Sequence, residues 1–413
     1  MIVPSIDLES GHAVQLVGGA AKVLDAGDPR PLARRFGRVG EVAVVDLDAA
    51  LGRGSNAALI EELIDLAPCR VGGGIRDVAT AIGWLDRGAP KVVLGTAARP
   101  EVLEKLPRER VIAALDARHG EVVVEGWQKS TGARVLERIA ALRDLVGGFL
   151  VTFVEREGRL EGTDLAFAKQ IREAAGAAAV TIAGGITTGD EVRELDRLGC
   201  DAQVGMALYT GKLGLAEAFA APLNSDRPDG LWPTVVVDER GTALGLCFSS
   251  LESLIAALER GQGIYHSRRR GLWVKGESSG ATQELLRIDA DCDRDTLRVT
   301  VRQQPPGFCH LNTRTCWGPD RGLGALSRRL AERKLAAPTG SYTARLFADP
   351  ELLGAKLREE AAELAEADRR EHVVHEAADV FYFTLATLAR HGVDLAEVEA
   401  ALDRRALKMT RRG

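Results

Sequence analysis

Short apolar, β-branched runs recur along the first half of the chain, and each is followed by a stretch long enough for an amphipathic helix. The runs are residues 2–6, 42–45, 70–71, 91–94, 111–115, 149–154, 179–182 and 202–204. Strand-length runs alternating with helical periods predict parallel βαβ units, and eight such units in about 220 residues predict a (β/α)8 TIM barrel. A doubly wound open sheet has the same alternation and is the alternative. Beyond residue 230 the pattern changes. Residues 234–237 and 298–301 read as strands around one helix at 251–260, which predicts a small α+β domain. Past Pro319-Asp320-Arg321-Gly322 the periodicity is helical only, with long helices over 352–368, 373–391 and 395–408. The polar stretch Asn224-Ser225-Asp226-Arg227-Pro228-Asp229-Gly230 reads as a linker. The expected domains are 1–223, 230–318 and 323–413, α/β overall.

Composition agrees with this division. A chain of 413 residues is long for one domain, and 46% hydrophobic residues can fill several cores. The net charge of −5 gives no electrostatic case for nucleic acid or a membrane surface as partner. Short basic runs such as Arg268-Arg269-Arg270 and the tail Arg411-Arg412 read as solvated faces. No apolar run approaches the roughly 18 residues of a membrane span, and the opening MIVPSIDL has no signal-peptide pattern. Cys69, Cys200 and Cys247 are scattered, which fits a reducing cytoplasm better than a disulfide framework.

An internal repeat adds chemistry to the barrel. Asp7 at the end of strand one recurs as Asp116 at the end of strand five. Gly73-Gly74 after strand three recur as Gly184-Gly185 after strand seven, and Gly95-Thr96 after strand four as Gly205-Met206 after strand eight. All three recur at a spacing of about 110 residues. Glycines at strand C-termini let backbone N–H groups reach a phosphate, so two such sets predict a ligand with two phosphates. Two carboxyls between them can be divided into base and acid by their surroundings. A lone Asp at a strand end is more often a cap or turn residue; the repetition of both Asp and Gly–Gly argues against that here.

This segment resembles the histidine-biosynthesis isomerase that acts on phosphoribosylformimino-aminoimidazole carboxamide ribotide. The matching residues are Pro4-Ser5-Ile6-Asp7-Leu8, Val45-Asp46-Leu47-Asp48-Ala49-Ala50, Val71-Gly72-Gly73-Gly74-Ile75-Arg76, Leu115-Asp116-Ala117-Arg118 and Gly126-Trp127-Gln128-Lys129-Ser130-Thr131. The resemblance implies an aminoaldose-to-aminoketose (Amadori) rearrangement, with Asp7 as general base, Asp116 as general acid and Thr152 assisting. Two loops depart from the family pattern: Gly18-Gly19-Ala20-Ala21-Lys22 after strand one, and Glu157-Gly158-Arg159 after strand six. They leave open a second reading, a bifunctional hydrolase whose barrel is a binding or assembly scaffold.

The stretch from Ile288 to Trp317 interleaves two kinds of metal ligand. Cys292, Cys309 and Cys316 are soft; Asp289, Asp291, Asp293 and Asp295 are hard. Three thiolates are one short of a closed structural zinc site and leave a position for water. Buried structural cysteines beside an acidic turn are the bland alternative. Upstream, Arg268 and Lys275 stand among Gly and Ser donors suited to a phosphate ester. This region resembles phosphoribosyl-AMP cyclohydrolase, through Ser267-Arg268-Arg269-Arg270, Leu272-Trp273-Val274-Lys275-Gly276-Glu277-Ser278-Ser279-Gly280, Asp291-Cys292-Asp293-Arg294-Asp295, Cys309-His310 and Cys316. The resemblance implies Zn2+ on Cys292, Cys309 and Cys316, shared across a homodimer. It implies Mg2+ on Asp291, Asp293 and Asp295, and hydrolytic opening of an adenine ring. Cys247-Phe248-Ser249 replaces the family's Tyr-Met-Asn.

In the last segment Glu360 and Glu363 are one helical turn apart, as are Glu376 and Asp379. Two such helices side by side would gather four carboxylates, a donor set for a hard cation; solvated acidic faces are the alternative. Phe381, Tyr382 and Phe383 predict that the second helix is buried, so that its acids need partners. The segment resembles phosphoribosyl-ATP pyrophosphohydrolase, an all-α, MazG-like helical family. The matching residues are Ser341-Tyr342-Thr343, Lys356-Leu357-Arg358-Glu359-Glu360-Ala361-Ala362-Glu363 and Glu376-Ala377-Ala378-Asp379-Val380. The resemblance implies release of pyrophosphate with Mg2+ held by Glu359, Glu360, Glu363, Glu376 and Asp379, and Lys356 on a phosphate. A general nucleotide-cleaning hydrolase is the rival reading. Together the resemblances imply three phosphoribosyl-nucleotide reactions of histidine biosynthesis in one chain.

Overall fold

The computed structural model describes residues 1–18, 21–124, 129–336, 338 and 340–409. It divides into two compact units. The first is Met1–Val237 with Leu246–Pro305 and Leu407–Gly413; the second is Asp238–Gly245 with Pro306–Ala406.

The first unit opens with eight parallel strands: β1 (Ile2–Glu9), β2 (Val42–Asp46), β3 (Cys69–Gly72), β4 (Lys91–Leu94), β5 (Val111–Arg118), β6 (Gly148–Phe153), β7 (Ala179–Ala183) and β8 (Cys200–Val204). Each pairs with the next, and β8 returns to β1 with Ile2 opposite Ala202, so the sheet closes. Closure removes the doubly wound alternative. Ile112, Leu150 and Ala183 pack together inside the barrel with Val93 and Ala114 against them, one residue set from four consecutive strands. At the N-terminal ends the buried Arg70 of β3 spans to Thr181 of β7 at 2.9 Å and to Asp201 of β8 at 3.1 Å. Helices follow the strands where a cap stops the extended chain. Asp77 accepts from Thr80 N, and Thr188 and Glu191 form a reciprocal capping box.

Two hairpins extend this pattern where the sequence reading placed loops. After β1 the chain turns back as strands His12–Val17 and Ala21–Gly27; after β5 it does so as Glu121–Val124 and Lys129–Arg134. Both belong to the twofold repeat. The Gly126-Trp127-Gln128 segment, Gly19-Ala20 and Arg411-Arg412 lie outside the described residues.

The remainder of this unit is built on a six-stranded sheet whose strands are β9 (Trp232–Asp238), β10 (Ala243–Ser249), β11 (Ile264–Ser267), β12 (Gly271–Val274), β13 (Gln283–Ala290) and β14 (Leu297–Gln303). Their order is β12-β11-β10-β9-β14-β13. The turn between β9 and β10 belongs to the second unit. Helix Leu251–Arg260 starts on a Ser250 cap, ends at left-handed Gly261 and packs against the barrel helix Leu215–Ala220. Ile288 N donates to Arg38 O at 2.7 Å, so the sheet is bonded to the barrel.

The second unit holds helices Gly322–Ala336, Tyr342–Ala348, Pro350–Glu366, Arg370–His391 and Leu395–Ala406. Leu330, Leu346, Leu353, Phe383, Leu385, Ala386 and Ala389 form its core. The expectation that Arg370–His391 is buried holds for its second half only. Phe383 is buried, but Phe381 is 50% and Val374 62% exposed. The 3.6-residue period turns those two positions away from the core. Among the described residues no helix is long and apolar enough to cross a membrane.

Candidate functional site

A cavity of about 820 Å³ opens at the C-terminal ends of the barrel strands. The barrel residues given a catalytic or phosphate-binding part in the sequence line it: Asp7, Asp116, Thr152, Gly73, Gly74, Gly95, Thr96, Gly184, Gly185 and Gly205. The register explains part of this convergence. Thr152 of β6 lies opposite Asp116 of β5, so the two side chains leave the sheet at one level. The paired glycines are required by the protein itself. Gly73 has φ 89°, and a Cβ there would collide with the backbone of Asp46. Gly184 has φ 98°, and a Cβ would lie 2.5 Å from Phe153 O. Each therefore lets one βα turn fold tightly over the end of the preceding strand.

Burial raises two of the cavity's acids. Burial pushes the Asp7 carboxyl up to about 7. Glu157 is pushed up to about 8, by burial first and then by the charges of Asp7 and Asp116. Glu157 is thus a third carboxyl of the same cavity. The sequence showed it only as a departure in the loop after β6; an acid directly before a glycine at a barrel mouth was the available signal. The two departing loops meet. Gly18 N donates to Glu157 O at 3.3 Å, and Gly158 packs on Leu16 and Val17. Arg76, Arg99 and Arg138 also line the cavity and give it positive charge. Tyr209 donates to Ser5 O at 3.1 Å, and burial with the nearby Asp7 charge raises its phenol.

In the middle segment carboxylate oxygens of Asp291, Asp293 and Asp295 lie within 4.8 Å of one another. Asp291 Oδ1 accepts from Asp295 N and Thr296 N, each at 3.1 Å. Partial burial works against its ionisation, but these donors hold the carboxyl below its ordinary value. Three clustered carboxylates are a hard-oxygen donor set that fits a magnesium-like ion. Cys292 lies in the first unit and is exposed. Cys309 and Cys316 lie in the second, on a loop closed by Cys309 N to Thr313 O at 3.1 Å. The Leu311 N–H, the Thr313 hydroxyl and the neighbouring Cys316 thiol hold the Cys309 thiol below its ordinary value. That favours the thiolate, which is the form that binds metal. Lys275 is buried, with Nζ 3.3 Å from Ala281 O. Arg268 is exposed and stacks on Phe248 at 4.9 Å. Arg227 lies over the same ring at 4.5 Å, so the departing Phe248 meets two guanidinium groups.

In the helical unit Glu360, Glu363 and Glu376 bring oxygens within 4.8 Å, a second hard donor set. Glu360 is buried, and Lys356 Nζ lies 3.6 Å from it. Lys356 also bonds the exposed Glu359 at 2.8 Å, which raises its ammonium. Asp379 pairs with His375 at 3.6 Å, one turn beyond Glu376.

Fold and cavity define the first half as a twofold-repeated (β/α)8 barrel with an acid-lined mouth. The chain belongs to the histidine biosynthesis protein family, whose model matches residues 1–214. The phosphoribosyl-AMP cyclohydrolase model matches 245–318, and the phosphoribosyl-ATP pyrophosphohydrolase model matches 323–406; both of these families are generally metal-dependent. A phosphoribosyl imidazole-4-carboxamide isomerase of Gemmatimonas aurantiaca is 40% identical over 236 residues, covering 53% of this chain and 99% of that protein. A histidine biosynthesis bifunctional protein of Schizosaccharomyces pombe is 51% identical over 201 residues, 49% of this chain and 48% of that one. A histidine biosynthesis trifunctional protein of Komagataella pastoris is 51% identical over 201 residues, 49% of this chain and 24% of that one. The chain thus spans about half the length of the first of these two and a quarter of the second.

Proposed function

We propose that this chain carries three activities of histidine biosynthesis, in domains 1–223, 230–318 and 323–413. The helical domain hydrolyses phosphoribosyl-ATP to phosphoribosyl-AMP and pyrophosphate. The middle domain opens the adenine ring of phosphoribosyl-AMP by adding water. The barrel isomerises the resulting ribotide. The order of the three family matches supports this reading, and one observation carries the barrel's part: both acids and both glycine sets line a single cavity. That observation also disfavours a barrel that is only a scaffold.

In the isomerisation the ribose ring opens and a proton leaves C2. Asp116 protonates the departing ring oxygen as C1 becomes an imine, Asp7 takes the C2 proton to give an enolamine, and C1 then gains a proton as the C2 hydroxyl loses its own to become the ketone. A carboxyl near 7 is a base matched to neutral pH. Thr152, beside Asp116 in the sheet, orients the acid or the sugar hydroxyl. Gly73-Gly74 with Gly95-Thr96, and Gly184-Gly185 with Gly205, receive the two phosphates.

Zn2+ on Cys292, Cys309 and Cys316 would supply an activated water, and Mg2+ on Asp291, Asp293 and Asp295 and on the glutamates would neutralise phosphate charge. Arg268 and Lys275 bind the middle domain's phosphate. In the helical domain Glu360, Glu363 and Glu376 would hold the ion, with Asp379 and Glu359 flanking them, and Lys356 would contact the polyphosphate. Cys292 and Cys316 are exposed, which supports a site completed across a homodimer through the middle domain. Six free cysteines agree with a reducing compartment such as the cytoplasm.

The test is turnover of phosphoribosyl-ATP by the purified full chain, following pyrophosphate, ring opening and isomerisation separately. Three successive products support the proposal. Accumulation of the ring-opened ribotide without isomerisation would reduce the barrel to a binding module.

A further inference from the structure

The acidic loop of the middle segment is held from the barrel. Arg294 stands between Asp293 and Asp295 with φ 66°, a backbone region that a non-glycine residue keeps only when its surroundings hold it there. Its guanidinium forks onto Asp196 of the barrel helix Gly189–Arg197, Nε to Oδ2 at 2.7 Å and Nη2 to Oδ1 at 2.6 Å. Asn224, just past the barrel, grips the loop backbone at two places. Its N donates to Arg294 O at 2.9 Å, and its Nδ2 donates to Asp293 O at 2.8 Å. A cavity of about 350 Å³ beside this contact is lined by Arg193 and Arg197 of the helix and by Cys292 and Asp293 of the loop.

We propose that Asp196 and Asn224 are positioning residues for the middle activity: the barrel sets the conformation in which Asp291, Asp293 and Asp295 converge. This rests on the reading of those carboxylates as magnesium ligands. Three carboxylates brought within 4.8 Å repel one another while no cation is bound, so the loop needs an outside clamp to stay preorganised. Hydrogen bonds inside the loop fix Asp291; Asp196 of the barrel and Asn224 just past it supply the clamp at residues 293 and 294. Partners behind a ligand shell commonly change metal affinity 10–100-fold when removed.

The experiment is calorimetric titration of the full chain with Mg2+, for the wild type, Asp196→Asn, Asn224→Ala and Asp293→Asn. The heat lost in Asp293→Asn defines the loop's share. Asp196→Asn and Asn224→Ala are expected to weaken that share by about tenfold or more, with barrel isomerisation unchanged as the measure of intact folding. Asp196→Glu is expected to restore part of it. An unchanged loop affinity in both variants overturns the proposal while the magnesium reading stands. A wild type indistinguishable from Asp293→Asn removes the magnesium reading and this inference together. Asn224→Ala removes only one side-chain bond at an exposed position, so the test stands even if the Asp196 variants fail to fold.

Discussion

Asp7 and Asp116 hold matching places in the two halves of the barrel: each pairs antiparallel with a valine of the hairpin that follows its strand, Val14 and Val123. The neighbours on the other side differ. Asp7 lies beside Val45 of β2, whereas Asp116 lies beside Thr152 of β6. Symmetric placement with unequal surroundings is what divides two like acids into a base and an acid. Asp7→Asn and Asp116→Asn are each expected to lower isomerisation about 10²–10⁴-fold and to leave pyrophosphate release intact, measured on the same preparation. Retained isomerisation in either variant removes its assigned role.

The pH dependence follows from the raised carboxyls. Isomerase kcat/KM should rise through about pH 7 as Asp7 loses its proton. It should fall through about pH 8 as Glu157, still neutral below that, becomes a third charge in the cavity. Glu157→Gln should abolish the falling limb, and a flat profile from pH 6 to 9 would contradict both assignments.

The same shifts bear on stability. A raised carboxyl means the folded chain binds more protons than the unfolded one, so its contribution is complete at low pH and is lost as pH climbs from about 4 through 7. Asp7→Asn should therefore be more stable than wild type at pH 8, by about 2 kcal/mol once the water of the open cavity is allowed for. The two should converge below pH 4 in denaturant unfolding.

Three glycines should behave differently. Gly73→Ala and Gly184→Ala force a side chain into left-handed backbone and against neighbouring carbonyls, so each should destabilise the fold by about 2–4 kcal/mol. Nothing lies within 4 Å of a Cβ at Gly95. Gly95→Ala should unfold like wild type but raise the KM for the phosphorylated sugar. A large stability loss there would mean that its role is structural too.

Chelation should separate the activities. Treatment with EDTA is expected to stop ring opening and pyrophosphate release and to spare isomerisation. Cys309→Ala should remove ring opening alone. In the helical unit Glu360→Gln should lower pyrophosphate release at least about 100-fold. Glu359→Gln should have a far smaller effect, because Glu359 is exposed and answers Lys356 rather than the carboxylate cluster. Equal losses would place both glutamates on the ion.

Much of this was legible in the residues. The eight strands could be read because a barrel strand buried on both faces leaves an unbroken apolar run such as residues 111–115, and the repeat marked the mouth. The hairpins after β1 and β5 were not legible. Half-exposed ribbons such as Ala21–Gly27 carry no apolar run, so they passed for loops. Glu157 escaped as a site residue because a loop acid draws its meaning from neighbours distant in sequence, Asp7 and Asp116. Phe381 misled for a related reason. Three consecutive aromatics suggest burial, but a helix turns about 100° per residue and covers only part of the run.

The segment after the barrel has the composition of a tether, yet Asn224 is bonded to the acidic loop, Ser225 Oγ donates to Leu231 O at 2.8 Å, and Arg227 stacks on Phe248. It behaves as a splint. A protease cuts an extended, released strand of about ten residues, and releasing this one means breaking each of those contacts. The folded chain should therefore resist an aspartate-directed endoproteinase at Asp226 and Asp229, and once nicked there, its fragments should stay together until denaturant separates them.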